Sequence, residues 1–527
     1  MLIFNQDGIM KKIFIAGLLL FAAVSLQAQT LDGALLAAEN NYYGTARSMA
    51  LGNAVSALGG DLGSIGINPA GSAVANYSQV TFTPGFTMSR IGTSYTSPDN
   101  YNSFNQLNKS LGRFPNVGTS FVFPMGGGNS MSFGFVANAT NYFSERMSVY
   151  GQNASTTQLG ALAQMANGID HSYFEDGNSG YYDLQTAFDA FLIDEINGTT
   201  DQYIGATENK YYDDDENIIV ELGDEIGQNY LRKRSGYKTD IVLNFGYNIQ
   251  DQLYLGLNIG LPILEFRDDF TFTESALRDG YFQTGFRRSE AYEYTTYSGV
   301  GAYAKFGAIW RPVGGLRLAA TYQTPTSFSI DETYGWSAYL DASEITGNSR
   351  QSADGDFSYE LTTPSIFSLG AAYVIGDIGL VSFDWERTNY SRMYYTADRV
   401  TSDYYSSYFA DVNADIRSNA GAANQYRIGA EVKLTPAFAL RAGYAENSRK
   451  MGDGSYSTRR SISGGLGLVS TGSFFADLAL RWNILPDYFN YPYDLYNEDY
   501  SVLVYESPII QANRRSLDAV VTLGWRF

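Results

Sequence analysis

The last twelve residues of the chain, 516–527, read SLDAVVTLGWRF. Every second side chain from Leu517 to Phe527 is apolar, and the residues between them are mostly small or polar, Asp518 and Arg526 among them. Successive side chains of a β-strand point to opposite faces, so a period of two is typical of a strand. The stretch therefore predicts a terminal strand with one apolar face, one polar face and an aromatic end.

The same alternation recurs upstream, for example in residues 316–323, 425–434 and 476–484. In a soluble sandwich the apolar face is the core. Here charged residues such as Arg427 and Glu431 occupy the opposite face in strand after strand. That arrangement is typical of a transmembrane barrel, with lipid outside and a polar lumen inside.

The connections between these segments support a barrel independently. Short turns are predicted near residues 125–130, 249–252, 312–315, 376–377, 435–438 and 470–473. Long loops rich in Tyr and Asp are predicted between them, at 91–116, 144–236, 273–295, 331–356, 394–423, 450–457 and 487–512. Strict alternation of short periplasmic turns and long outer loops predicts an all-β fold, an up-and-down antiparallel transmembrane β-barrel of about 14 strands over residues 78–527. Both ends of the mature chain are expected on the periplasmic side.

The N-terminus predicts export. Lys11 and Lys12 precede an apolar run at residues 13–24 and a small residue, Ala28. This is the pattern of a cleaved signal peptide over residues 1–28, and the run is too short for a spanning helix. The expected location is the outer membrane, with outer-membrane lipid and lipopolysaccharide as neighbours.

Composition narrows the functional classes. The chain has 527 residues, no Cys, one His and a net charge of −20. Without Cys there is no disulfide, no thiolate metal site and no Cys nucleophile, and the acidic balance argues against a nucleic-acid partner. His171 is predicted to lie in a surface loop rather than beside a nucleophile, and Asp384 with Glu386 on one strand face is better explained as lumen charge than as acid–base chemistry. No enzymatic activity and no cofactor are therefore expected.

The acidic run from Asp213 to Glu216 matches no known calcium loop, and it is predicted to be a solvated loop rather than a metal site. Residues 29–77 differ from the barrel, being rich in Ala, Leu and Gly without strand alternation. Irregular backbone cannot face lipid, so this segment is predicted to plug the lumen as a hatch.

Residues 44–54, GTARSMALGNA, followed by Ala57, Asp61 and the segment Ile67-Asn68-Pro69-Ala70-Gly71, resemble the N-terminal hatch of the FadL/TodX family of outer-membrane transporters. The resemblance implies passive uptake of hydrophobic compounds such as long-chain fatty acids or aromatic hydrocarbons. It implies gating by the hatch residues Asn68, Pro69, Ala70 and Gly71, expected beside the third strand. It also implies lateral exit through the barrel wall at an inward kink of that strand, for which Gly134 and Asn138 are the candidates.

Two alternatives remain open. The family includes a PorV-like branch that serves as a scaffold or shuttle in protein secretion, with surface or periplasmic protein partners, and the long loop at 144–236 is compatible with that role. Within the lumen, Arg317, Arg427 and Arg441 are candidates for holding a ligand head group, because a desolvated carboxylate needs a cationic partner. The alternative is an ion-pair network with Asp477, Glu431 or Asp384.

Overall fold

The structure is a computed structural model that describes residues 30–175, 182–196, 198–345, 350–397, 404–470, 472–497 and 502–527. The predicted signal peptide lies outside the described residues. None of the described helices is long and apolar enough to cross a membrane.

Fourteen antiparallel strands form one closed barrel. In chain order they are β1 (Gln79–Thr96), β2 (Asn102–Gly126), β3 (Asn129–Asn153), β4 (Ile226–Ile249), β5 (Leu253–Ala276), β6 (Phe286–Trp310), β7 (Leu316–Gln323 and Ser327–Ala342), β8 (Arg350–Thr362 and Ile366–Ile375), β9 (Gly379–Asn389), β10 (Ala420–Thr435), β11 (Phe438–Met451), β12 (Tyr456–Val469), β13 (Phe474–Ile484) and β14 (Ile509–Arg526). The sheet closes where β14 pairs with β1, from Gln79 opposite Arg526 to Thr96 opposite Ile509. The predicted barrel is confirmed.

The two faces of the wall follow the predicted alternation. On β14, Val521 and Trp525 are exposed, whereas Asp518 and Thr522 point inward and are fully buried. Exposed apolar side chains form a belt around the outside of the barrel, including Phe86, Phe121, Phe135, Leu243, Leu261, Phe306, Phe383, Ile428, Leu466 and Leu480. The end of the barrel with the short turns, which carries Phe527, is the periplasmic or lower end.

The strands continue above the belt. β2, β3 and β6 each have 25 residues, whereas about 9–11 residues of a tilted strand cross a bilayer. The predicted loop at 91–116 is therefore wrong, because these residues extend β1 and β2 and leave only a tight connection at 97–101. Above the belt, water contacts both faces of the strands, so their side chains no longer alternate between apolar and polar. The backbone hydrogen bonds of the ladder form without that alternation.

Residues 30–77 lie inside the barrel and are called the hatch below. The hatch contains α1 (Leu31–Ala38), α2 (Ala46–Ala50), α3 (Leu62–Ile65) and a 3-10 helix (Pro69–Val74). The first two helices begin at Thr caps, since the Thr30 and Thr45 hydroxyls accept hydrogen bonds from Gly33 N and Ser48 N. Thr30 lies in the upper lumen, where its carbonyl oxygen accepts from the Tyr395 hydroxyl at 3.0 Å. The expectation that both ends lie on the periplasmic side is thus wrong for the N-terminal end of the hatch.

The outer connection after β3 folds into a cap with its own apolar core. It contains α4 (Gln158–Ala166), α5 (Ser172–Glu175), α6 (Tyr182–Asp189) and two hairpins, Ile193–Glu195 with Tyr203–Gly205 and Glu208–Tyr212 with Ile218–Leu222. Leu159, Phe174 and Leu192 of the cap pack with Phe286 and Trp336 of the barrel. A further helix, α7 (Tyr404–Asn419), follows β9, a 3-10 turn (Tyr390–Arg392) and the short strand Tyr394–Ala397. Between β13 and β14 lie the short strands Tyr488–Asn490, Leu495–Tyr496 and Leu503–Tyr505.

Candidate ligand cavity and wall opening

The hatch fills the lower lumen by direct contact between its backbone and the wall. A Cβ added to Gly443 would lie 2.1 Å from Gly52 N, and one added to Gly256 would lie 2.2 Å from Ala70 N. Inward glycines on seven strands lie against the hatch: Gly256, Gly429 and Gly443 against its backbone, and Gly246, Gly307, Gly370 and Gly465 against its side chains. Since any larger side chain would collide with the hatch, the lower lumen is closed by close packing.

The predicted hatch residues lie in this lower layer. Asn68 is fully buried, accepts a hydrogen bond from Ala70 N at 3.0 Å, and donates to Ser56 O at 2.7 Å. The Pro69 carbonyl oxygen accepts from Asn244 of β4 at 2.9 Å, and Gly71 N donates to Asn68 O. The motif therefore lies mainly against β4, β5 and β6. The 3-10 helix that it begins also reaches the third strand, where the Ser132 hydroxyl donates to the Ser72 hydroxyl at 2.9 Å. Ile65 and Gly66 lie against β3 as well.

The three predicted head-group arginines also contact the hatch or its supports. Arg317 donates to Leu58 O at 2.6 Å. Arg427 is fully buried, pairs with Glu386 at 2.8 Å, and lies 5.3 Å from the ring of Tyr42. Arg441 pairs with Glu431 and Asp477, so it belongs to the ion-pair network considered as the alternative. A role of these arginines toward a ligand stays a prediction.

Buried polar groups of the hatch are paired as well. Asp384 of β9 accepts from Ser56 N at 3.0 Å, and Thr45 donates to the Asp61 carboxylate at 2.7 Å. Burial raises the pKa of Asp61, against the opposing effects of Arg47 and the Thr45 hydroxyl. These hydrogen bonds hold the hatch in position, although the buried Asn53 Oδ1 accepts none from the described residues.

The strand ladder of the wall is interrupted between β2 and β3. Their ladder runs from Gly126 opposite Asn129 up to Asn116 opposite Asn138, and no rung joins the two fully described strands above that point. Higher up, only side chains bridge them, with Asn105 Nδ2 donating to Ser148 O at 2.9 Å and Ser103 donating to Tyr150 O. We call this interruption the slot. It begins at the outer edge of the apolar belt, where Phe114 is 65% exposed.

A bulge in β3 marks the foot of the slot. Ala139 faces Thr239 of β4, and Asn141 faces the adjacent residue, Lys238. Thr140 therefore has no partner on β4 and is the extra residue of the bulge. The hatch contacts β3 here: Asn41 N donates to Thr140 O at 2.9 Å, and Tyr43 N donates to Ala139 O at 3.0 Å. The hatch thus replaces β2 as the backbone partner of β3.

The two kink candidates occupy different places in this arrangement. Asn138 forms the last rung below the slot and accepts a hydrogen bond from Asn116 at 2.7 Å. Gly134 lies within the regular ladder, opposite Ser120 and Asn244, and faces Ile65 of the hatch. Of the two, Asn138 is the residue at the wall opening.

A cavity of about 620 Å³ lies above the lower hatch layer and reaches the slot. Leu111 and Arg113 of β2 and residues 141–145 of β3 line it on the slot side, and α1 forms its opposite side. Its lining is mixed. Polar and charged side chains make up the larger part, and the apolar or aromatic ones include Leu35, Leu36, Tyr43, Leu111, Tyr142, Phe143, Phe266, Phe270, Tyr297, Leu485 and Phe489. The remaining upper lumen is filled where α1 packs against Phe328, Tyr359, Tyr395 and Phe409 of α7. The open space is therefore displaced toward β2 and β3.

Three arginines share two carboxylates at the cavity. Arg232 and Arg234 contact Asp268 at 2.7 and 2.9 Å, and Arg514 contacts Glu145 at 3.0 Å. All three guanidinium groups lie within 6 Å of the Tyr488 ring, at 5.5, 4.9 and 5.7 Å. The three arginines exceed by one the two carboxylates that they contact, and a third carboxylate, Glu293, also lines the cavity. Sequence analysis missed it, although the charged run Arg232-Lys233-Arg234 in an acidic chain was a visible signal.

Arg113 stands between the cavity and the slot. Its guanidinium lies 4.4 Å from the ring of Tyr43 and 4.5 Å from that of Tyr142, and it pairs with buried Asp518. Asp518 also accepts hydrogen bonds from Arg481 at 3.1 Å. This stack connects the hatch, β2, β3 and β14 at the foot of the slot.

The other candidates lie in the outer loops. His171 Nδ1 is 2.9 Å from the Glu195 carboxylate in the cap. Asp213 accepts hydrogen bonds from Asn217 and Asp215, and the bonds from Asn217 lower the pKa of the Asp213 carboxyl. Within the described ranges no group of three metal-ligating side chains comes together.

No protein-family model and no curated protein matches the sequence. Solved structures of similar shape include the Pseudomonas putida toluene transporter TodX, with 12% identity over 93% of this chain and 99% of that chain and a TM-score of 0.48. A Pseudomonas aeruginosa FadL homologue is 13% identical over 93% of this chain and 98% of that chain, with a TM-score of 0.49. The Ralstonia pickettii toluene transporter TbuX is 13% identical over 92% and 99%, with a TM-score of 0.45. Each is a similarity of overall shape at low sequence identity.

Proposed function

We propose that this protein is a non-enzymatic outer-membrane channel for passive uptake of hydrophobic small molecules, such as long-chain fatty acids or aromatic hydrocarbons, with lateral exit through the slot. Residues 1–28 would be its signal peptide. The observation that carries the proposal is the joint geometry of the lumen: a cavity that ends at an interrupted strand ladder, above a layer closed by the hatch.

The proposed sideways route follows from the packing of the hatch in the lower lumen. Glycine-lined contacts close the lower lumen, so a molecule in the cavity has no open path straight down. The slot adjoins the cavity and opens at the outer edge of the apolar belt. An apolar molecule that passes sideways there exchanges protein contacts for lipid without crossing water.

The lining fits an amphiphile. Each methylene group transferred from water to the apolar part of the cavity contributes about 0.8 kcal/mol, and the excess arginine at Tyr488 fits one carboxylate head group. A hydrocarbon without a head group would use the apolar lining alone. Among the two proposed ligand classes, the arginine cluster favours fatty acids.

Control of exit would lie at the bulge. The hatch bonds to β3 at Ala139 and Thr140, where β3 has left β2. A shift of residues 41–43 would therefore change the width of the slot. Deleting Thr140 removes the extra residue and should let upper β3 pair with β2, which closes the slot.

The test compares cells that carry wild-type protein, the Thr140 deletion and the matched variant Thr140→Ser, which keeps the bulge. Uptake of radiolabelled oleate should fall to the level of cells without the channel in the deletion strain, and stay within about twofold of wild type for Thr140→Ser. Heat-modifiable migration on gels checks barrel assembly. Normal uptake by an assembled deletion variant would contradict lateral exit.

A secretion scaffold is the second candidate, favoured by the cap, whose own apolar core makes it a preformed outer surface. A knockout that takes up oleate and toluene normally, yet fails to export surface proteins, would replace the transport proposal with this one.

A further inference from the structure

Two pairs of like-charged side chains lie on one side of the outer wall. Arg90 of β1 faces Arg515 of β14 directly across the ladder, and Arg146 of β3 faces Lys233 of β4 in the same way. All four side chains are exposed. Like charges directly opposite one another on a sheet repel, so each pair is unfavourable without an anion.

Several other exposed arginines of the wall have carboxylate partners. Arg267 pairs with Asp269 at 2.8 Å, Arg288 with Glu290 at 2.6 Å, and Arg460 with Glu446 at 2.9 Å. In the described part of the chain, Arg90, Arg146 and Arg515 face no carboxylate across the ladder, and Lys233 faces Asp269, which is already paired with Arg267. The excess of cations at these positions leaves room for an external anion.

The position of the four cations indicates the depth at which that partner lies. Arg90 is the next outward side chain above Phe86 and Met88, and Arg515 follows Leu517 and Val521 of the belt in the same way. Both pairs flank the slot, since Asn108 of β2 is the rung partner of Arg90. The cations therefore lie where outward apolar residues end, at the head-group level of the outer leaflet.

The opposite wall has the reverse charge. Asp331 of β7 and Asp354, Asp356 and Glu360 of β8 are exposed on the outer face. An anionic ligand would be attracted to the wall beside the slot and repelled from the wall at β7 and β8. Exposed cations also occur on that wall, at Arg350 of β8 and Arg387 of β9, but neither faces another cation across the ladder.

We infer that Arg90, Arg515, Arg146 and Lys233 form a binding site for the phosphate groups of lipopolysaccharide in the outer leaflet, on the outside of the wall at the slot. Guanidinium groups bind phosphate through paired hydrogen bonds, and cations near an anionic lipid surface strengthen binding to it. The acyl chains of the same lipid would lie against Phe86, Met88 and Phe114 of the belt. The inference does not depend on which molecule passes through the cavity.

The test measures binding of purified lipopolysaccharide to the delipidated protein in detergent by native mass spectrometry. The variant R90Q/R515Q/R146Q/K233Q is compared with the matched control R267Q/R288Q/R460Q, which removes exposed arginines that are already paired. Gel migration before and after heating checks that each variant is folded. We expect the first variant to bind about tenfold or more weakly, and the control to bind within about twofold of wild type.

Removing the phosphates chemically should weaken binding to wild type by a similar factor and leave binding to the first variant unchanged. Three results would overturn the site: undiminished binding by the folded first variant, equal loss in the control, or equal binding of the dephosphorylated lipid. If phosphatidylglycerol nanodiscs bind as tightly as lipopolysaccharide and depend on the same four residues, lipopolysaccharide is the wrong source of the phosphate.

Discussion

The lower and upper halves of the lumen are built from the same strands but in opposite ways. Below, β2 and β3 are paired from Asn116 down to Gly126, and inward glycines leave room for the hatch beside the wall. Above, the ladder between β2 and β3 is interrupted, and arginines outnumber their carboxylate partners around a cavity. The difference shows that a closed barrel can be sealed along its axis and still offer a path through its side.

Deleting residues 30–77, the hatch, should open the lower half of the lumen, and we expect the largest change in conductance from this deletion. With the hatch gone, the lower lumen loses its only filling in the described part of the chain, and the barrel should conduct ions. Planar-bilayer recordings should show stable channels for the deletion protein and none for wild type. If the assembled deletion protein conducts no ions, the hatch is not what closes the lumen of the wild-type protein.

Gly443→Leu should weaken the seal without removing it. A Cβ at this position lies 2.1 Å from Gly52 N, so the hatch must shift, at a cost of about 1–3 kcal/mol or more. We expect intermittent conductance and a lower unfolding temperature. Gly112→Leu on upper β2 is the control, because a Cβ there meets no atom within 4 Å. Equal behaviour of the two variants would show that the wall glycines are not required for the seal.

Arg514→Gln tests the upper half alone. It leaves the Glu145 carboxylate with Arg234 at 3.7 Å and removes one positive charge near Tyr488. Oleate should bind about tenfold more weakly, as expected for loss of one charge-assisted hydrogen bond, while oleyl alcohol should bind as it does to wild type. The measurement is tryptophan fluorescence titration in detergent. Equal losses for acid and alcohol would assign Arg514 to packing instead of head-group binding.

The smallest effect is expected in the cap, above both halves. Burial raises the pKa of Asp183 to about 6, above the usual 3.8. The folded cap therefore retains this proton at pH 5, and its stability should fall as the pH rises from about 4 to 6. Hydrogen exchange within 158–189, corrected for intrinsic rates, should be faster at pH 7.5 than at pH 5.

Asp183→Asn should reduce that pH difference. Some should remain, because burial also raises the pKa of Glu208 in the same cap. An undiminished difference in the variant would assign the pH dependence to other groups.

The amino-acid sequence by itself determined the barrel, because alternation of side chains is a local property of each strand. The alternation from Leu517 to Phe527 identifies an apolar and a polar face whichever strands lie beside it. The glycine-rich segment at 29–77 lacks that alternation, so it could be recognised as unable to face lipid. The strand count and the inward direction of Arg427 and Arg441 followed from the same period.

Only the tertiary structure decided where the wall opens and which arginines meet. The slot is a property of register between β2 and β3. Pro115, which lacks an N–H, marks where pairing can stop, but residues 107–114 do not show which neighbour β2 loses. Arg232 and Arg514 are far apart in the chain and meet at Tyr488 because closure of the barrel brings their strands to one cavity. The hatch residues Asn68 to Gly71 likewise pack against β4, β5 and β6, where inward glycines leave room for them. Such contacts depend on how strands are aligned around the whole ring, and a local pattern carries no information about that alignment.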